Sequence, residues 1–331
     1  MSRVIAAFIV SLIFGLVAGP GIIYLLRRLK ARQSILSYVT QHKSKEGVPT
    51  MGGILFILAT SVGFFLFSSG KRNLSVVAFV VFVTYGLIGL LDDGIKVLFK
   101  RNLGLKAYQK VLSQSAVAVL IAYYSYSSSL VGSEIYVPFI HKYWELGRWY
   151  LPVCFLLFIA TTNAVNLTDG LDGLAGSVTT VYLLFIGLFL MMEYQSRLTL
   201  GRTFEGEEIN NLMILCAACI GGLVAFLGFN TSRASVFMGD TGSLALGGMC
   251  CVLPVMIKNP FLIAAVGIMY VVTVISVIVQ VISFKTRKKR VFLMAPLHHH
   301  LEMKGLSEPK IVAAYCLVTA LFGAIMLLAE L

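Results

Sequence analysis

Ten apolar runs, separated by short polar stretches, dominate this chain of 331 residues. They cover residues 4–26, 51–67, 75–91, 111–130, 151–165, 174–192, 209–229, 244–257, 261–284 and 311–328. A helix needs about 20 apolar residues to cross a bilayer, or roughly 17 at the short limit. In lipid every backbone polar group must be satisfied within the fold, so runs of this length specify helices. The fifth and eighth runs are short, and Pro254 interrupts the eighth. Those two are expected to be half-buried or broken helices. Composition agrees, at 58% apolar and 13% charged; soluble domains average about 45–50% and 25%. The expected fold class is an all-α polytopic membrane protein with about ten transmembrane helices, forming one domain over 1–331. The first run is long for a signal-peptide core and is followed by Arg27, Arg28, Lys30 and Arg32. It reads as an uncleaved span.

Charge distribution sets the orientation. Of the 27 lysines and arginines, 19 fall in the loops after the first, third, fifth, seventh and ninth runs. The positive-inside rule makes those loops cytoplasmic and puts both termini outside. The net charge of +12 is therefore topogenic and suited to anionic lipid, and nucleic acid is not expected as a partner. Lys285-x-Arg287-Lys288-Lys289-Arg290 belongs to the same basic stripe. The segment 132–150 lies on the other side, carries aromatic residues and Pro138, and is expected to hold a short hairpin or an interfacial helix. Glu205, Glu207 and Glu208 are placed on that side too. All six cysteines sit in apolar runs. Cys216-x-x-Cys219 has redox or zinc spacing, but no second pair or nearby histidine completes a site, so packing is the better reading.

The chain has five aspartates, and all fall in three motifs on the cytoplasmic side. Carboxylates are costly in a bilayer, at about 2.5–3.5 kcal/mol each at a helix centre. Their concentration at one face suits a divalent cation and phosphate chemistry. The first motif is Gly89-Leu90-Leu91-Asp92-Asp93-Gly94, where adjacent carboxylates repel unless a cation or proton shares them. The second runs from Asn163 through Asn166, Asp169, Gly170, Leu171 and Asp172 to Gly173 and Leu174. On a helix, residues three apart share a face, which would align Asn163 with Asn166 and Asp169 with Asp172. The competing reading is helix capping, with Asp172 capping the helix that follows. The third motif is Phe237-Met238-Gly239-Asp240-Thr241-Gly242-Ser243, whose glycines expose backbone N–H groups to an anion. Asp240 could equally be an N-cap, and Phe237 either stacks on a base or anchors the loop in the membrane. Asn230 ends the seventh run.

A fourth motif, Ala295-Pro296-Leu297-His298-His299-His300-Leu301-Glu302, is also on the basic side. Three adjacent histidines cannot all face one metal on a helix. Phosphate binding or proton transfer suits them better, given an unperturbed pKa near 6.5. Lys45, Lys96 and Lys110 are scattered along the same face, and each alone reads as a solvated charge.

Together these motifs resemble the polyprenyl-phosphate N-acetylhexosamine-1-phosphate transferase superfamily. The resemblance extends from Val48-Pro49-Thr50-Met51-Gly52-Gly53 to the histidine triplet. The Pro296–Glu302 stretch is similar to the phospho-N-acetylmuramoyl-pentapeptide transferase branch of peptidoglycan synthesis. The resemblance implies ten helices, a cytoplasmic active site, required Mg²⁺ and a homodimer in the bacterial cytoplasmic membrane. It implies UDP-MurNAc-pentapeptide and undecaprenyl phosphate as substrates, with lipid I and UMP as products. It assigns Asp240 as a magnesium ligand with Asp92 and Asp93 beside the metal. Either of that pair would deprotonate or orient the lipid phosphate. Gly170, Leu171, Asp172 and Phe237 would form a uracil pocket. Asn166, Asp169 and Asn230 would support that pocket or the metal. Lys45 and Lys110, and after them Lys96, would lie near nucleotide or phosphate, and His298, His299 and His300 near the phosphates or the sugar-peptide. Two other functions fit the same composition. One is a transferase of the same superfamily that uses UDP-GlcNAc. The other is a transporter, which would need carboxylates at mid-membrane.

Overall fold

A computed structural model describes residues 1–29, 31, 47–70, 72–99, 104–231 and 233–330. Among these residues, twelve α-helices and one hairpin follow in the order α1 (Ser2–Arg28), α2 (Gly53–Phe67), α3 (Asn73–Leu98), α4 (Ala107–Ser127), β1 (Glu134–Val137), β2 (Lys142–Glu145), α5 (Tyr150–Thr168), α6 (Leu174–Thr199), α7 (Thr203–Asn230), α8 (Gly239–Met256), α9 (Phe261–Ala265), α10 (Ile268–Arg287), α11 (Leu297–Met303) and α12 (Glu308–Leu328). Eight of the described helices are long and apolar enough to cross a membrane. The other two apolar runs form α2, of 15 residues, and α4, whose first turns carry Gln109, Lys110 and Gln114.

Two helices make the centre. In α8, 89% of the span is buried, and in α7 72% is. Helix α8 packs against α3, α5 and α2, while α7 packs against α1, α6 and α2. Without a hydrophobic drive between helices in lipid, close backbone approach by small residues supplies the packing. A Cβ on Gly53 would lie 2.3 Å from Gly242 Cα, and one on Gly89 would lie 2.0 Å from the Asp240 carbonyl oxygen. These glycines let α2 and α3 cross α8 at the acidic end.

The short runs do not break. Helix α5 is continuous over 19 residues, and α8 continues past Pro254. Proline removes the hydrogen bond to the carbonyl four residues earlier. Here that carbonyl, Cys250 O, accepts the Tyr182 hydroxyl of α6 at 2.8 Å. The break falls in the ninth run instead, between α9 and α10 around Gly267. Helix α10 then leaves the bundle: only Met269, Tyr270, Thr273 and Ser276 are buried, and Ile275, Ile278, Ile282 and Phe284 are exposed. Gln280 ties it to the returning chain by accepting the Val291 and Phe292 N–H groups, each at 3.0 Å.

The end of the bundle away from the aspartates is built separately. The segment 132–150 forms the antiparallel hairpin β1–β2, paired from Glu134–Glu145 to Val137–Lys142. The Tyr136 N–H donates to Lys258 O at 2.7 Å, and its hydroxyl donates to Glu330 at 2.7 Å. Glu208, fully buried, accepts the Asn73 and Leu74 N–H groups at 3.0 and 2.9 Å. It thus caps the start of α3 from a neighbouring helix, where the exposed amides favour an anion. Helix α7 spans about 40 Å at 1.5 Å per residue, so Glu208 and Asn230 lie at opposite ends. All six cysteines are unpaired and at least partly buried, as packing residues should be.

Candidate active site

Asp92 and Asp93 stand in the last two turns of α3. A helix C-terminus disfavours carboxylates, so they require cations or donors. Asp240 is the second residue of α8, where the dipole favours an anion. The α3–α8 crossing at Gly89 brings the three together, with one carboxylate oxygen from each within 4.8 Å of the others.

Each carboxylate is held differently. Asp93 Oδ2 accepts the Thr241 N–H at 2.9 Å and the Thr241 hydroxyl at 2.8 Å. Asp93 therefore caps α8 from α3. Asp92 Oδ1 accepts the Leu105 N–H at 2.8 Å, pinning the chain that leads into α4. Asp240 Oδ1 accepts from Asn166 Nδ2 at 2.6 Å, and Asn166 also donates to Ser243 at 2.8 Å. Three oxygens remain: Asp92 Oδ2, Asp93 Oδ1 and Asp240 Oδ2. They surround the Lys96 ammonium at 2.7, 3.5 and 2.7 Å. Lys110, in the first turn of α4, reaches Asp240 Oδ2 at 2.9 Å. Three carboxylates face two ammonium groups, so one negative charge is left over.

The loop after α5 lies beside this cluster. Helix α5 ends at Thr168, so Asp169 and Asp172 do not share a helical face as their spacing suggested. The chain turns through Gly170 and reaches Gly173 in the left-handed region, φ 73°. Gly173, not Asp172, is the residue before α6, and no side chain caps that helix. Asp172 instead accepts the Ala234 N–H at 3.1 Å, and its own N–H donates to Glu308 at 3.3 Å. Asn230 joins the same loops by accepting the Gly173 N–H at 3.0 Å and donating to Val236 O at 2.8 Å. Leu171 is buried beneath the turn. A cleft of about 860 Å³ opens beside Asp172, lined also by Val48, Arg233, Ala234, Glu308 and Cys316. Phe237 is half-buried and its backbone is fixed at both ends, by Pro49 O at 2.8 Å and Gly52 N–H at 2.8 Å.

Burial and the Asp240, Asp93 and Asp172 carboxylates push Asp169 up to about 8. In an unfolded chain it would titrate near 3.9. The folded protein holds this proton more tightly, so its contribution to stability is present below about pH 4 and is lost as pH rises towards 8. In metal-free protein, Asp169→Asn is expected to raise the melting temperature at pH 8 and leave it unchanged at pH 4. A difference of equal size at both pH values would remove charge as the cause.

The histidine triplet does not act as one group. It forms the short helix α11. His298 is buried, and neither ring nitrogen has a hydrogen-bond partner among the described residues. Burial, with His299 alongside, lowers it to about 3, so its resting form is neutral. A Cβ on Gly170 would lie 2.2 Å from its Nε2; the ring therefore sits directly on the aspartate-rich loop. His299 pairs with Glu302 at 3.1 Å, and His300 Nδ1 accepts the Leu293 N–H at 3.1 Å. Asn163 is a turn away from the cluster, donating to Gln114 at 2.8 Å. Lys45 lies outside the described residues.

Sequence reasoning missed several members. Thr241 and Ser243 lie inside the third motif, but nothing in their spacing marked them as partners of Asp93 and Asn166. Thr50 is buried and its hydroxyl has no partner among the described residues. It lies against the same point as Asp93: a Cβ on Gly239 would meet Asp93 Oδ2 at 2.5 Å and Thr50 Oγ1 at 2.7 Å.

Residues 74–258 match the family model for glycosyl transferase family 4. The chain is 43% identical to the phospho-N-acetylmuramoyl-pentapeptide-transferase of Clostridium novyi (strain NT), over 97% of this chain and 95% of that one. It is 40% identical to the enzymes of the same name from Clostridium perfringens (strain 13 / Type A), over 97% and 96%, and Thermoanaerobacter pseudethanolicus, over 96% of each. With the acidic cluster inside the matched region, the chain belongs to glycosyl transferase family 4, among its phospho-N-acetylmuramoyl-pentapeptide-transferases.

Proposed function

We propose that this chain transfers phospho-N-acetylmuramoyl-pentapeptide from its UDP carrier to undecaprenyl phosphate, giving lipid I and UMP. The observation that carries the reading is the convergence of Asp92, Asp93 and Asp240 at one end of an apolar helical bundle. The site would face the cytoplasm from a bacterial inner membrane crossed by ten helices, α2 and α4 among them, with both termini outside. The basic loops support that orientation. There a lipid phosphate stays anchored in the bilayer while the nucleotide arrives from water. Carboxylates at a helix end, rather than at mid-membrane, favour this chemistry over transport. We also propose that the chain works as a homodimer.

The donor set fits magnesium, which takes hard oxygen ligands. Asp240 would hold it, with Asp92 Oδ2 and Asp93 Oδ1 beside it, and the uncompensated negative charge favours a further cation. When bound, magnesium offsets the repulsion between two phosphates and the charge on the departing UMP oxygen. The rest falls to the chain. Phosphate monoesters have a second pKa near 6, so the lipid phosphate is largely ionised at pH 7. Asp92 and Asp93 are then needed to orient charge more than to remove a proton. Lys110 and Lys45 would steady the diphosphate. The Asp172 cleft and the Gly170–Leu171 backbone would take the uracil, with Phe237 stacking on it. Asn166, Asp169 and Asn230 would hold the loops in register. His298 would support the Gly170 turn, and His299 and His300 would face the phosphates or the sugar-peptide.

Release of UMP from UDP-MurNAc-pentapeptide, dependent on undecaprenyl phosphate, tests the assignment. UMP release from UDP-GlcNAc in its place, with no muramoyl lipid formed, would reject it. Phe237→Ala is expected to weaken UDP-sugar binding by about 1–3 kcal/mol, the usual worth of base stacking on an aromatic ring. Unchanged affinity would mean that Phe237 only anchors its loop.

A further inference from the structure

Lys96 Nζ lies 2.7 Å from Asp92 Oδ2, 2.7 Å from Asp240 Oδ2 and 3.5 Å from Asp93 Oδ1. These are the three carboxylate oxygens that accept no hydrogen bond from Leu105, Thr241 or Asn166. Lys110 differs: among the described residues its ammonium pairs with Asp240 and with neither Asp92 nor Asp93. The ammonium of Lys96 thus stands at the focus of the acidic cluster, where a divalent cation would find its oxygens. Magnesium holds its ligand oxygens at about 2.0–2.1 Å. A cation drawn to Asp92 Oδ2 and Asp240 Oδ2 would compete with an ammonium already hydrogen-bonded to the same two atoms. Two like charges at the same oxygens repel, so each occupant disfavours the other.

We infer that Lys96 is an internal counter-ion: its ammonium fills the metal position in the metal-free protein and must leave when a divalent cation binds, so that it sets the affinity of the site. The inference rests on the reading of this cluster as the metal site. Two consequences follow from the geometry. Without metal, Lys96 keeps three nearly buried carboxylates from facing one another unscreened. With metal, its side chain swings away on a flexible stem and becomes a free cation at the edge of the site, where anionic diphosphate would be bound. A weak resting affinity for the metal alone, strengthened by nucleotide, is the expected behaviour of such a site.

The test uses the full chain, stripped of metal, in nanodiscs, with Mn²⁺ as the probe and electron paramagnetic resonance as the readout. Lys96→Met is expected to tighten Mn²⁺ binding by at least about tenfold, because a competing unit charge has gone. It should also lower the melting temperature of the metal-free protein, with Mn²⁺ restoring it. Unchanged or weaker Mn²⁺ binding would overturn the inference. A second measurement needs no variant. Acetylation of Lys96 in the wild-type chain, read by mass spectrometry against exposed Lys289, should rise several-fold when Mn²⁺ is added; no rise would overturn the inference equally. Asp240→Asn separates this idea from its parent: if that variant binds Mn²⁺ as the wild type does, the metal-site reading itself fails.

Discussion

Asp240→Asn is expected to lower kcat by about 10³-fold or more while leaving the helical bundle folded. Loss of one preorganised electrostatic group in an active site typically costs about 10²–10³ in rate. Asp240 carries more than one such role. It accepts from Asn166, Lys96 and Lys110, so it orders three side chains from three helices, besides serving as the proposed metal ligand. The amide keeps the volume and one acceptor oxygen but not the charge. Folding should survive, because the α3–α8 crossing is held independently by Asp93 and Thr241. The measurement is UMP release at saturating Mg²⁺ alongside thermal unfolding. A variant with wild-type kcat would remove Asp240 from the chemistry.

Gly89→Ala should produce the largest effect on assembly. A methyl group there would stand 2.0 Å from the Asp240 carbonyl oxygen and 2.5 Å from the Thr241 nitrogen. Both are backbone atoms, so no side-chain rotation relieves the clash. Helices α3 and α8 must separate at the point where the three carboxylates meet. Overpacking of a close-packed interior costs about 1–3 kcal/mol, and a backbone clash belongs at the upper end of that range. Both the melting temperature and kcat should fall. Gly94→Ala provides the comparison, since a Cβ there has nothing within 4 Å. Equal stability of the two variants would show that the crossing is looser than the geometry indicates.

Much of this arrangement is legible in the amino-acid sequence. Apolar runs located the helices, and the positions of Asp92, Asp93, Asp169, Asp172 and Asp240 at run ends pointed to one shared face. What sequence could not supply were features decided by distant partners. Pro254 looked like a break because a proline must lose a backbone bond; the replacement donor is Tyr182, 68 residues from the affected carbonyl. The real interruption, at Gly267, had no signal stronger than other glycines in apolar runs. Asp169 and Asp172 have helical spacing, yet the helix ends at Thr168, ahead of both. The histidines looked like one group because they are adjacent, and the α11 turn points them at three different neighbours. Lys96 read as a solvated charge because its value depends on α8 arriving beside α3. Asp93 likewise gave no sign that half its carboxylate caps another helix.

The acidic cluster is the proposed meeting point of metal and nucleotide diphosphate. Crystals grown with Mn²⁺ and a UDP-sugar, measured at the manganese absorption edge, test this most directly. The expected result is one anomalous peak bonded to the Asp240 carboxylate and to the diphosphate, with the uracil in the cleft beside Asp172. Manganese bound elsewhere, with diphosphate away from Asp92, Asp93 and Asp240, would contradict it.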